Sequence, residues 1–433
     1  MDRVLVSELG GYIGKEVLLK GWVHQVRPLS KFAFLILRDR TGLIQGIIFD
    51  EVLRQNLPER ETVVALHGRV KEEKQAPRGY EVEVLGIETI SRPVLALPFE
   101  VNRSLEKLNL KIDMILDHRA FSLRNPELGN VFRIQAEITR TYADYMRSQG
   151  FLEIHTSKIV GTGTEGGTNL FQIQYFEQSA YLAQSPQFYK QMLVGAGYER
   201  VFEVGFVYRA EDHATSRHIN EYLSLDFEMG FIENEQDVIR VEVGFIRKLF
   251  ENLKLNCAEE LKFYKKELPE IGEIPQFPLA EARDILKKEF GKQLGDEDDL
   301  DPEGERLLCE YAKKTHNSEF AFVTMYPTSV RPFYAMPDKD NPKLTRSFDL
   351  LYKGLEVTTG GQRIHDPAML EASIRSRGMN PTSFESYLEI FRLGMPPHGG
   401  LAIGTERLTQ QILDLDNVRQ ASFFPRDRYR TTP

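Results

Sequence analysis

Residues 200–230, RVFEVGFVYRAEDHATSRHINEYLSLDFEMG, restrict the possible folds of this chain more than any other stretch, because two alternating runs flank a polar loop. Alternation at period two makes each run a strand, and the short loop makes the pair an antiparallel hairpin. Parity places Phe202, Val204, Phe206 and Tyr208 on one side, with Glu203, Arg209 and Glu211 on the other. In the second run Leu223, Leu225, Phe227 and Met229 oppose Tyr222, Ser224, Asp226 and Glu228. One face belongs to a core and the other is crowded with charge. Solvent exposure would account for the charge, but Arg, Glu, Asp and an aromatic on a half-buried sheet also suit a nucleotide cleft.

A second charged hairpin lies at 346–363, RSFDLLYKGLEVTTGGQR. A two-residue turn at Lys353-Gly354 pairs Leu351 with Glu356 and sets Asp349 diagonally across from Glu356 on the same face. Two carboxylates so placed call for a cation: Mg²⁺ arriving with ATP, or a neighbour such as Lys353 or Arg363. Near the C-terminus, PPHGGLAIGTERLTQQIL reads as a strand passing through Gly404 into a helix, with Thr405 as N-cap and Arg407 in the first turn. A basic group there opposes the helix dipole, and an anion bound at the helix start would relieve the conflict.

The series Gly161, Gly163 and Gly166 matches G-x-G-x-x-G, but the residues after it, GGTNLFQIQYF, alternate like a strand instead of opening a helix. The segment is expected to be a mobile loop. No metalloprotease, nucleophile-elbow or P-loop signature occurs.

Residues 16–90 read as five short strands with a turn at Arg40-Thr41-Gly42, which fits a small closed barrel of the OB type. SRPVLALPFE breaks the pattern, and 113–150 reads as helix. The remainder suggests an α+β domain on an antiparallel sheet. The expected division is 1–98 barrel, 99–128 hinge and 129–433 second domain. A chain of 433 residues with 41% hydrophobic content can bury cores of this size.

The net charge of −9 argues against a nucleic-acid partner, yet residues 1–98 hold 14 Lys/Arg against 13 Asp/Glu. There Lys20, Arg27, Lys31, Arg38 and Arg40 face one acid, Asp39, and interleave with Trp22, Phe32 and Phe34. Cations for phosphates among flat rings for unstacked bases suit a single-strand binder, and a solvated sheet face with core aromatics suits the pattern as well. Cys257 and Cys309 stand alone, without ligand spacing, so neither disulfide nor zinc is expected. Asp296, Glu297, Asp298 and Asp299 read as a solvated loop. No signal peptide or membrane-length apolar run is present, and a cytoplasmic location is expected.

Taken together, YRAEDHATSRHINEY, GLAIGTERL and GFLEIHTSKI resemble motifs 2, 3 and 1 of the class II aminoacyl-tRNA synthetases. AQSPQFYKQ at 183–191 and FDLLYKGLEV followed by GGQRIHD resemble the aspartyl branch. The resemblance runs from the barrel to FPRDR near the end. It implies an ATP-dependent ligase that makes aspartyl-adenylate and transfers aspartate to tRNA. By the same resemblance Arg209 holds the α-phosphate, Arg217 and His218 reach the outer phosphates, Tyr222 and Arg407 sandwich adenine, and Glu211 reads its edge. Asp349 and Glu356 hold Mg²⁺. The amino group meets Asp226 and Glu165, Ser185 and Gln187 line the pocket, and the side-chain carboxylate meets Lys190 and Arg363. Asparagine would leave those two buried cations without a partner, which separates the substrates by charge.

In the barrel, Phe34, Gln45 and Arg27 match anticodon-reading positions. Motif 1 carries Ser157 where the family has an interface proline; a homodimer is still implied. The large insertion of bacterial-type aspartyl enzymes is missing, so the chain resembles the archaeal group. His24 and Pro77 stand where relaxed members of that group have His and Pro, which implies charging of the asparagine tRNA too. The rival readings are an asparaginyl enzyme, a non-catalytic RNA binder on the same fold, and an amino-acid ligase without tRNA.

Overall fold

The computed structural model describes residues 2–163, 169–212, 215–295 and 299–432, in two compact units, Met1–Asn125 and Pro126–Pro433. The division falls inside the stretch 99–128 read from the sequence as a hinge.

In the first unit β1 (Glu16–Pro28), β2 (Ala33–Asp39), β3 (Gly42–Ile48), β4 (Val63–Glu72) and β5 (Tyr80–Ser91) close in the order β1-β2-β3-β5-β4. Alternate residues, among them Val17, Leu19, Leu35, Leu37, Ile44, Val64, Leu66, Val82 and Val84, fill the interior. The expected turn after Asp39 is present, with the Asp39 carboxylate accepting from the Thr41 amide at 2.7 Å. His24 is the extra residue of a bulge between Val23 and Gln25.

The second unit is built on an eight-stranded sheet: β6 (Leu152–Glu153), β10 (Arg200–Tyr208), β11 (Glu221–Gly230), β12 (Gln276–Pro278), β13 (Phe320–Thr324), β14 (Ser347–Tyr352), β15 (Leu355–Arg363) and β16 (His398–Gly404). Its order is β12-β13-β14-β15-β16-β11-β10-β6, antiparallel except for the outermost pair at each end. A small sheet of β7 (Ile159–Val160), β8 (Gln172–Tyr175) and β9 (Gln178–Leu182) lies beside it in sequence. Helices Pro126–Ser148 and Glu235–Asn256 supply the core under one face of the large sheet. Tyr142 meets Phe202 and Phe245 edge to face, and Phe250 meets Phe320 and Tyr352.

Two expectations need correction. The helix read over 113–150 is broken: short helices Ile112–Asp117 and Arg119–Ser122 precede the long one, which begins only at Pro126. Proline lacks the amide needed inside a helix but fits its first turn. At the C-terminal motif the cap position is Gly404, whose backbone is still extended, so Thr405 is already the first helical residue.

Candidate active site

The hairpin β10–β11 keeps the register that parity demands. Phe202 faces Phe227 and Val204 faces Leu225, while Glu203 faces Asp226, Val201 faces Glu228 and Val207 faces Tyr222. The apolar face is core only along part of its length, because Phe206 is 49% exposed. The polar face is the surprise. Glu203, Asp226 and Glu228 are all buried, so each needs a partner.

Glu203 takes the motif 1 segment: its carboxylate accepts from the Thr156 amide and hydroxyl and from Lys158 at 2.8 Å. It is therefore a structural clamp, not a cleft group. Ser157 closes a local turn there, donating to Ile159 O at 2.9 Å.

Asp226 and Glu228 pair with two cations. Lys190, on helix Gln187–Leu193, lies 2.9 Å from Asp226 and 3.4 Å from Glu228, and donates to Leu401 O. Arg363, at the end of β15, donates to Glu228 at 3.0 Å and to Gly400 O at 2.8 Å. Burial pushes the Glu228 carboxyl up, but Arg363 and Lys190 outweigh it and hold the group below its ordinary value. This overturns the expectation of two partnerless cations: without substrate they are already neutralised, and Glu228, which parity found but no role absorbed, is the reason. Ser224 donates to Asp226 at 2.6 Å, fixing the carboxylate's second oxygen.

Beside this cluster opens a cavity of about 350 Å³. Ser185, Gln187, Arg209, Glu211, Arg217, His218, Tyr222, Asp226, Glu356, Arg363 and Arg407 all line it, so residues scattered over more than two hundred positions converge as the sequence implied. Lys190 and Asp349 do not reach the cavity wall and sit immediately behind it, tied to groups that do. Glu165 lies outside the described residues, as do Asp296, Glu297 and Asp298.

The β14–β15 hairpin has the anticipated turn, with Lys353 and Gly354 both at positive φ and Leu351 opposite Glu356. A bulge at Val357 then pairs Asp349 with Thr359, whose hydroxyl donates to Glu356 at 2.8 Å. The counter-charge for Asp349 is neither Lys353, which pairs with Asp414, nor Arg363. It is Arg331, which donates to Asp349 Oδ2 while its guanidinium lies 3.6 Å from the Tyr326 ring centroid. Nothing in the local sequence around Arg331 announces this role. Burial raises Asp349 to about 6. Its Oδ1 is buried with no hydrogen-bond partner, and with Glu356 nearby this donor set fits a divalent cation. Among the described residues no group of three His, Cys, Asp or Glu is arranged for a metal.

Arg407 stands in the first turn of helix Thr405–Leu413 and donates to Glu356 O at 3.2 Å and to Arg217 O at 3.3 Å. Burial would raise Glu356, but Arg407 and the Thr359 hydroxyl bring it below its usual value. Arg209 lies 5.7 Å from the Tyr222 ring centroid. Arg217 donates to Glu305, and Glu406 accepts from the Leu223 amide; neither acid was singled out from the sequence. His218 is lowered by burial and by Arg407, and its Nδ1 lies 2.7 Å from the Thr215 hydroxyl.

On the barrel, Arg27 faces Phe34 across β1–β2 and Gln45 faces Ile36 across β2–β3. Gln45 donates to Glu81 at 2.7 Å, and Phe32 abuts Phe34 edge to face at 5.2 Å. Arg38 is withdrawn from the basic set expected to meet phosphates: it forks onto Glu61 at 3.1 and 2.7 Å, and Arg124 joins at 3.0 Å. His24 is buried, with Nδ1 2.9 Å from Arg38; burial, then Arg38, lowers it to about 4. Pro77 is exposed on the β4–β5 connection.

Residues 111–428 match the family "tRNA synthetases class II (D, K and N)" and residues 17–90 match "OB-fold nucleic acid binding domain". The chain is 46% identical over 439 residues to the aspartate–tRNA(Asp/Asn) ligase of Deinococcus radiodurans, covering 100% of this chain and 99% of that one. It is 40% identical to the aspartate–tRNA(Asp) ligase of Pyrococcus abyssi, covering 97% of each. Asparaginyl-tRNA synthetase of Pyrococcus horikoshii, solved with asparaginyl-adenylate, superposes with a TM-score of 0.93 at 29% identity over 100% of both chains.

Proposed function

The chain belongs to the class II tRNA synthetases, with an OB-fold unit preceding the catalytic part, and from that premise we propose that it is an aspartate–tRNA ligase serving both the aspartate and the asparagine tRNA. It joins L-aspartate to ATP, forming aspartyl-adenylate, and passes the aspartyl group to the 3′ end of tRNA. The aspartate α-carboxylate forms a bond to the α-phosphorus as the bond to the β-phosphate oxygen breaks; the tRNA hydroxyl then attacks the acyl carbon and AMP leaves. No covalent protein intermediate is required, so the chain's contribution is positioning and charge.

Arg209 holds the α-phosphate, Arg217 and His218 meet the outer phosphates, and Tyr222, Glu211 and Arg407 hold the base. Asp349 and Glu356 would hold Mg²⁺, which would supply charge at the leaving pyrophosphate. Asp226 and Glu165 receive the amino group, Ser185 and Gln187 line the pocket, and Arg363 with Lys190 behind it draws the side-chain carboxylate.

The observation that carries the choice of aspartate is the buried four-charge cluster beside Arg209. There Arg363, at the cavity wall, and Lys190 behind it stand against Asp226 and Glu228. A side-chain carboxylate can share Arg363 with Glu228 through charge-assisted hydrogen bonds, whereas the amide of asparagine offers that guanidinium no charge. The asparaginyl reading shares the fold at 29% identity, but the sequence relatives at 40–46% are aspartate ligases. Relaxed tRNA choice is supported by the relative at 46% carrying both tRNAs in its name. Residues 1–98 are the anticodon reader and 129–433 the catalytic part. A homodimer is proposed from the resemblance of the motif 1 segment alone. Among the described residues no helix is long and apolar enough to cross a membrane; the cytoplasm is the proposed location because the proposed reaction serves translation.

Purified protein should give aspartate-dependent ATP–pyrophosphate exchange, none with asparagine, and should charge both tRNAs. Exchange driven by asparagine would reverse the substrate; charging of one tRNA alone would remove the relaxed specificity.

A further inference from the structure

Residues 215–218 of the motif 2 loop approach the cavity with their backbone already pinned. Ser216 O accepts from the Val418 amide at 2.9 Å and from Gln410 at 3.4 Å, and Arg217 O accepts from Arg407. The Arg217 side chain, by contrast, is spent on Glu305, from helix Pro302–His316. Glu305 is only 9% exposed, and its helix start is fixed by the Asp301 carboxylate accepting from Gly304 at 2.7 Å. A buried carboxylate thus occupies the cation that the proposed function gives to the outer phosphates, and Glu356 adds a second negative charge nearby.

From this geometry we propose that Glu305 is the resident counter-ion of Arg217, which the triphosphate must displace, so that Glu305 sets how tightly ATP is held. The inference rests on the ATP reading of this cavity. Arg217 can turn from carboxylate to phosphate while its loop keeps its anchors, since those run through backbone carbonyls. Displacement strands a poorly hydrated carboxylate near an incoming polyanion, and that penalty opposes binding. After pyrophosphate forms, recapture of Arg217 by Glu305 favours its departure. Glu305 is a positioning residue here, acting through Arg217 and touching no substrate.

The test uses the full chain and equilibrium calorimetry with ATP and with AMP, no amino acid present. E305Q keeps the shape and the hydrogen bond but removes the charge, and is expected to tighten ATP about tenfold, or about 1.4 kcal/mol. AMP, which has no outer phosphates, should bind E305Q and the parent alike. In an R217M background the E305Q gain should vanish. Unchanged or weaker ATP binding by E305Q overturns the proposal, as does an equal gain for AMP or a gain that survives R217M. Should E305Q unfold, E305A with the same two ligands must show the same ATP-only gain. Failure of the parent itself to bind ATP would instead overturn the ATP reading.

Discussion

Lys190 does two things at once, and the two can be separated by measurement. It pairs with Asp226 and Glu228, and in the proposed function it also supplies positive charge to the substrate carboxylate. Lys190→Met should lower aspartate-dependent exchange by at least about a thousandfold while leaving ATP affinity within about threefold, because the nucleotide contacts lie elsewhere in the cavity. It should also cost about 3–5 kcal/mol of stability in a denaturant melt, since two buried carboxylates lose a partner. Adding Glu228→Gln should recover part of the stability and none of the exchange. Exchange at the parental rate would strike Lys190 from the site. Of these residues, Lys190, Asp226 and Arg363 were legible in the sequence through motif context. Glu228 was legible only as a parity position, because the identity of its partners depends on strands and a helix brought together from distant parts of the chain. Arg331 lay in a stretch with no motif signal and Glu305 on an amphipathic helix whose period names no partner for it, so only the folded arrangement exposes their roles.

At the level of elements, both hairpins could be read directly, since alternation fixes faces and a Lys-Gly turn fixes register. What could not be read was the bulge at Val357, which depends on how β14 and β15 accommodate their neighbours, or that a charged face would be interior. Helix Glu235–Asn256 gives the sharpest case of a hidden interior charge. Its Glu242 is fully buried beneath the catalytic sheet, and burial pushes the carboxyl up to about 8. The unfolded group ionises near 4.5. Between those values the native state holds a proton that the unfolded chain has released, so stability from this group is complete below about pH 4.5 and drains away as pH climbs to about 8. Glu242→Gln should therefore flatten the fall of melting temperature between about pH 5 and 8, the variant gaining on the parent as pH rises. A parallel pair of curves would contradict this.

For the whole molecule, the two units assign reading of tRNA and chemistry to separate bodies. Phe34→Ala should raise KM for tRNA about 5- to 150-fold, the loss of one base stack worth about 1–3 kcal/mol. Exchange without tRNA should stay at the parental rate. A fall in tRNA-free exchange would mean that the barrel substitution disturbs the catalytic unit. The two-unit plan was visible in the text of the chain, as a shift from closely spaced strands to longer strands and helices. The exact seam was not, because Pro126 and not the earlier prolines starts the long helix.

One carboxylate, Glu228, answers to both Lys190 and Arg363. That sharing constrains ancestry as well as catalysis. A lineage exchanging either basic side chain by a single mutation would inherit an unbalanced interior, so a drift toward another amino acid has to move several positions in step or begin at Glu228 itself.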